Sequence, residues 1–146
     1  MKKLTRTLSL LLAVVTLCAS ILPLCVSAEN GISPYLLNTD MCKCGFSAAA
    51  GIAEVIVSYE AKESNFSYAK LTVKIQKRFL GVFWSTVDLG LTTDEWIAYN
   101  YSASSFFSNS FPLEKTGTYR AVFTVEIYGK DGSVDTIEDT ITSTYD

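Results

Sequence analysis

The chain has 146 residues, with 12 Lys and Arg against 15 Asp and Glu, and no histidine. Its net charge of −3 at pH 7 argues against nucleic-acid binding, which needs a basic face. The missing imidazole removes Ser-His-acid and Cys-His nucleophile activation, together with the side chain whose ordinary pKa lies nearest neutrality.

Residues 1–28 read MKKLTRTLSLLLAVVTLCASILPLCVSA. A basic front with Lys2, Lys3 and Arg6 leads into an apolar run that closes on Val26-Ser27-Ala28, the layout of a secretory signal peptide. The alternative is a membrane anchor, which needs about 20 apolar residues; Pro23 and the cleavage-like end favour removal. Lipid attachment at Cys25 or Cys18 wants a small residue before the cysteine, and Leu24 and Leu17 are not small. Cleavage after Ala28 leaves 118 residues, read as a single domain over residues 29–146. It takes away three of the 12 basic residues and no acid, so nine face 15 and the net charge falls to −6. No basic run supplies a polybasic membrane patch, and no span is expected after cleavage. The chain is therefore expected outside the cell.

Asn38 to Phe46 reads NTDMCKCGF, holding the two cysteines that survive cleavage. On a strand Cys42 and Cys44 share a face with Cα atoms about 6.5–7 Å apart, whereas disulfides usually span about 4.4–6.8 Å. A local Cys42–Cys44 disulfide therefore needs a bend, which Gly45 is placed to supply. The other readings are two reduced, partly buried thiols, a bond to another chain, and a metal or redox site. Zinc wants four ligands, and a thioredoxin-like motif has two residues between its cysteines, so no metal and no cofactor is expected. The pair reads as structural.

From Gly51 onward the periodicity is two, which on a strand makes one dry and one wet face. Ala53, Val55, Val57, Tyr59 and Ala61 alternate with Glu54, Ser58 and Glu60. After Glu63-Ser64-Asn65, Ala69, Leu71, Val73 and Ile75 alternate with Lys70, Thr72, Lys74 and Gln76. Gly81 then lets Val82 to Leu89 return as a hairpin partner. Thr92 to Trp96 is expected to open one helical turn, with a Thr cap and acids behind it. Ile97, Tyr99, Tyr101 and Ala103 make a weaker alternating run. Tyr99 to Phe111 mixes rings with Ser and Asn, as recognition surfaces do, although alternate rings in a core explain it as well. Adjacent Phe106 and Phe107 cannot both face one core, so one of them is a candidate contact, alongside Trp84 and Trp96. Tyr119, Ala121, Phe123, Val125 and Ile127 form the last clear dry face. Gly129-Lys130-Asp131-Gly132 reads as a hairpin turn with both glycines free to take positive φ, and Val134 to Thr144 runs back. About seven short strands imply an all-β antiparallel sandwich or barrel.

The stretch Leu113-Glu114-Lys115-Thr116-Gly117-Thr118-Tyr119-Arg120-Ala121-Val122 resembles the start of strand F in immunoglobulin-like and fibronectin type III-like domains. The resemblance implies an immunoglobulin-like β-sandwich and a structural tyrosine corner at Tyr119, whose hydroxyl bonds to backbone a few residues upstream; otherwise Tyr119 is an ordinary core tyrosine. Ala121 stands where antibody domains carry a cysteine, and residues 51–61 hold none, so the similarity is to the cysteine-free branches. It covers the last third of the chain best. As a whole the chain resembles small exported proteins of Gram-positive bacteria, which implies a compartment and a fold.

The acids offer three weak constellations. Asp94 with Glu95, or Asp135 with Asp139, are the carboxylate pairs available for glycosidic chemistry, and Asp131 with Asp135 flank Gly132 as a calcium loop would. The regular ligand series of such a loop is missing, and strand acids usually face water or protect an edge. No catalytic residue is therefore expected. The expected function is a non-enzymatic extracellular module that binds a protein partner. The alternative is a small glycan-binding module using Trp84, Trp96 or the aromatics of residues 99–111.

Overall fold

The computed structural model describes residues 36–146, and the leader read over residues 1–28 lies outside them. Eight strands make up the described residues: β1 (Thr39–Ala49), β2 (Ile52–Ala61), β3 (Phe66–Phe79), β4 (Phe83–Thr86), β5 (Trp96–Asn100), β6 (Ser104–Pro112), β7 (Gly117–Gly129) and β8 (Val134–Tyr145). They form two antiparallel sheets. One has the order β1-β2-β6, and the other the order β4-β3-β7-β8. β5 also pairs with β3, along Ala69 to Val73, while β4 pairs with its far end, Gln76 to Phe79. The fold is thus an all-β sandwich, with eight strands where about seven were expected.

The dry faces meet between the sheets. Val55, Val57, Tyr59, Phe107 and Phe111 come from one sheet; Leu71, Val73, Ile75, Phe123, Val125 and Ile127 come from the other, all buried. Register fixes this. Leu71 pairs with Val125, Val73 with Phe123 and Ile75 with Ala121, so a slip of one residue would turn one of the two rows outward. At roughly 1.5–3 kcal/mol per fully buried large apolar side chain, this interleaved layer is the main stabilising element.

Three local expectations are corrected. Residues 92–95 bend without a helical turn, because Thr93 Oγ1 is drawn to the Glu95 carbonyl at 3.0 Å and Glu95 reaches Lys74 at 2.8 Å. In the weak run, Ile97, Tyr99 and Tyr101 face solvent while Trp96 and Ala98 pack on the core; on a short edge strand the large rings need not be the inner ones. In the last hairpin only Gly132 takes a positive φ, +85°. Gly129 is needed for room instead: a Cβ there would lie 2.6 Å from the side chains of Asn65, Asp131 and Ser133.

That crowding belongs to a polar knot which anchors the segment ahead of β1. Buried Asp135 accepts from the Leu37 amide at 3.0 Å, the Asn38 amide at 2.7 Å and Thr39 Oγ1 at 2.9 Å. Asn38 in turn bonds Ser133 and Asn65 through its side chain, at 2.9 and 2.8 Å. At the other end of the seam the Ala48 amide donates to Ser143 Oγ at 3.0 Å. Edge strands β1 and β8 therefore run side by side across one open flank of the sandwich.

Candidate functional site

The densest exposed aromatic grouping is a set of four tyrosines on the outer face of the β3 sheet. Tyr68 and Tyr128 oppose each other in register, and their rings stack with centroids 4.3 Å apart. Tyr99 on β5 and Tyr101 just beyond it approach Tyr68 at 6.3 and 6.1 Å. Tyr68 and Tyr128 are half-buried, whereas Tyr101 is 77% exposed. Wet-face parity on three strands puts these rings outside, since Tyr68 shares its face with Lys70 and Tyr128 shares its face with Glu126. Beside the cluster Lys70 Nζ meets Glu126 Oε2 at 2.6 Å, and the Tyr128 hydroxyl donates to Glu126 Oε1 at 3.0 Å. The Lys70 ammonium, helped by Tyr128, holds Glu126 below the usual carboxylate range; the same contacts raise Lys70 and Tyr128. The result is a platform of stacked and tilted rings with a fixed charge pair at its border.

The residues singled out from sequence do not share one surface. Trp96 points inward and meets Phe111 edge-on at 5.8 Å. Phe107 is buried and stacks on Tyr59 at 5.6 Å. Phe106 is 66% exposed, on the outer face of the opposite sheet and diagonal to exposed Ile56. Trp84 lies on the outer face of β4 under two guanidinium groups, Arg120 at 4.3 Å and Arg78 at 6.0 Å from its ring centre. Tyr68 and Tyr128 escaped sequence reading, because each is an isolated ring on a polar face until register pairs them.

Tyr119 is buried at the start of β7, and its hydroxyl donates to the carbonyl of Lys115, four residues upstream. Cys42 and Cys44 are free thiols, half-buried on the inner face of β1. Their register is regular, Cys42 with Tyr59, Cys44 with Val57 and Gly45 with Ile56, so Gly45 supplies no bend. A hydrogen bond between the two thiols lowers the pKa of Cys42 and raises that of Cys44, whose burial adds to the rise.

The carboxylates do not converge. Glu95 is paired with Lys74, Asp135 is enclosed by its three donors, and Asp139 is exposed further along β8. Asp131 closes its own turn: bonds from the side chains of Ser133 and Asn65 and from the Ser133 amide pull its carboxyl down to about 2. Among the described residues no group of three or more Cys, Asp or Glu is placed to hold a metal. A shallow groove of about 520 Å³ runs past Lys77, Asp88, Glu114 and Tyr119. The chain matches no protein-family model and no curated protein.

Proposed function

We propose that the protein is a secreted, non-enzymatic immunoglobulin-like module that binds a protein partner outside the cell. Its strand order supports the immunoglobulin-like reading: β1, β2 and β6 stand as strands A, B and E, facing β4, β3, β7 and β8 as C′, C, F and G. The Tyr119 bond at the start of strand F belongs to the same pattern. The cleaved leader supplies the route out of the cell.

The observation that carries the binding role is the platform of Tyr68, Tyr99, Tyr101 and Tyr128. Rings with two torsions present large contact area at small entropic cost, and their hydroxyls add directional bonds. Such clusters supply the residues whose truncation most weakens interfaces. Affinity capture from surface extracts of the source cell, with the secreted chain and its Tyr99→Ala/Tyr101→Ala variant, tests the role. A partner retained by the first and lost by the second is expected; equal capture by both would remove the platform from the interface. The alternative is a glycan ligand, since exposed rings beside the Lys70–Glu126 pair also suit a sugar face. Tyrosine-dependent signal on a glycan array, without a captured protein, would favour it.

A further inference from the structure

The turn joining β3 to β4 breaks two ordinary rules at once. Phe79, Leu80, Val82 and Phe83 are 60%, 76%, 70% and 65% exposed, four large apolar side chains within five residues at a hairpin tip. The Val82 amide donates to the Phe79 carbonyl at 3.2 Å, and Leu80 and Gly81 take φ of +49° and +73°. This is the turn that favours Asn or Asp followed by Gly, because its first position is left-handed. A leucine there is strained and leaves its side chain largely in solvent. Ala50 adopts the same φ in the β1–β2 turn, but it exposes only a methyl group. A local rule broken without structural compensation points to function.

Below the tip the chain, acidic as a whole, turns basic. Lys77, Arg78 and Lys115 line one groove with Phe79, and Arg120 reaches Trp84 from β7, across the intervening β3. The ion pairs among the described residues use Lys70 and Lys74, so none of these four cations is matched by a carboxylate. The nearby acids, Asp88 and Glu114, line the adjoining groove together with Lys77 and Lys115, at more than ion-pair distance from both. The tip is convex. A partner protein would need a concave apolar socket to cover it, whereas a bilayer moulds itself around a spike. At strand rise the Phe79–Phe83 row stands about 3.3 Å beyond Trp84 and the turn about 5–7 Å beyond it. That places the apolar residues at interfacial depth, Trp84 at the headgroup level where its ring is favoured, and the cations against anionic headgroups.

We propose that the β3–β4 hairpin is a membrane-docking tip, with Phe79, Leu80, Val82 and Phe83 entering an anionic bilayer surface and Lys77, Arg78, Lys115 and Arg120 binding its headgroups. This site is independent of the tyrosine platform, which lies at the opposite end of β3, about 35 Å away at strand rise.

The test is co-sedimentation of the secreted chain with vesicles of equal parts phosphatidylglycerol and phosphatidylcholine, and with phosphatidylcholine alone. Binding to the mixed vesicles, weaker with added salt and with the neutral lipid, is expected. In a Trp96→Phe background Trp84 emission should shift to the blue and be quenched by bilayer-embedded brominated acyl chains. Leu80→Asp should lower vesicle affinity at least about tenfold, or 1.4 kcal/mol, while its thermal midpoint holds or rises, since Asp suits the left-handed position. Val82→Asp and Lys77→Glu/Arg78→Glu should weaken binding likewise, and Tyr99→Ala/Tyr101→Ala should leave it unchanged. Absence of vesicle binding, equal binding to both lipids, or binding indifferent to Leu80→Asp would overturn the proposal. So would a tip-dependent dimer or protein complex formed in place of vesicle binding.

Discussion

At the scale of single residues, two hydrogen bonds have consequences that solution measurements reach directly. Tyr119 is buried, and its hydroxyl reaches the Lys115 carbonyl. Tyr119→Phe keeps the ring and its packing but leaves that carbonyl to water or unpaired. A loss of about 1 kcal/mol is expected, read as a lower urea midpoint with an unchanged slope. The thiol pair makes a sharper prediction. Cys42 is lowered by the bond from Cys44, and Cys44 is raised in return. The thiolate is the reactive form, so Cys42 should alkylate first as pH rises. Cys44→Ala should move the alkylation profile of Cys42 to higher pH; mass spectrometry of adducts across a pH series checks both. Neither direction was legible in the spacing Cys42-Lys43-Cys44, which says that the thiols share a face and nothing about which one donates.

Between elements, β1 and β8 illustrate how a sandwich manages two open edges. Their flank is closed by side chains: Asp135 to the Leu37 and Asn38 amides at one end, Ser143 to the Ala48 amide at the other. Exposed Asp139 lies between these ends on β8, and a carboxylate at that place discourages another chain from adding to the edge. The β7–β8 turn is tied into the same closure through Asn65, Asn38 and Ser133. Gly129 makes the knot possible, because a Cβ would sit 2.6 Å from three of its side chains. Gly129→Ala should therefore force the knot apart at a cost of about 1–3 kcal/mol. Tryptophan-detected urea unfolding should show the loss, and amides of residues 37–39 should exchange faster than in the parent chain. The sequence marked Gly129 as a turn residue, but its role is steric room beside a polar cluster assembled from three distant segments.

For the whole molecule, pH dependence follows from groups whose ionisation is favoured by folding. Asp131 falls from an ordinary 3.8 to about 2, and Glu126 is lowered by Lys70. Depressed carboxyls add stability that is full above their unfolded pKa and is lost as pH falls through the folded one. The folded chain should thus hold its stability from neutrality to about pH 4 and lose it progressively towards pH 2. Asp131→Ala should be less stable at neutral pH, with the gap to the parent closing as pH falls from about 4 to about 2. Thermal midpoints across that range test this directly.

The sequence by itself determined the strand content, the inner rows of β2, β3 and β7, and the turn before β8, because a period of two along one strand fixes which side chains share a face. Tertiary structure decided what period cannot carry, namely which strands neighbour each other and in what register. Tyr68 and Tyr128 are separate residues of two polar faces until β3 and β7 pair; Lys77, Arg78, Lys115 and Arg120 make no basic run until the β3–β4 hairpin, the residues before β7 and β7 itself meet at one end. Both surfaces depend on contacts between residues far apart in the chain, and such contacts are set by the packing of whole sheets.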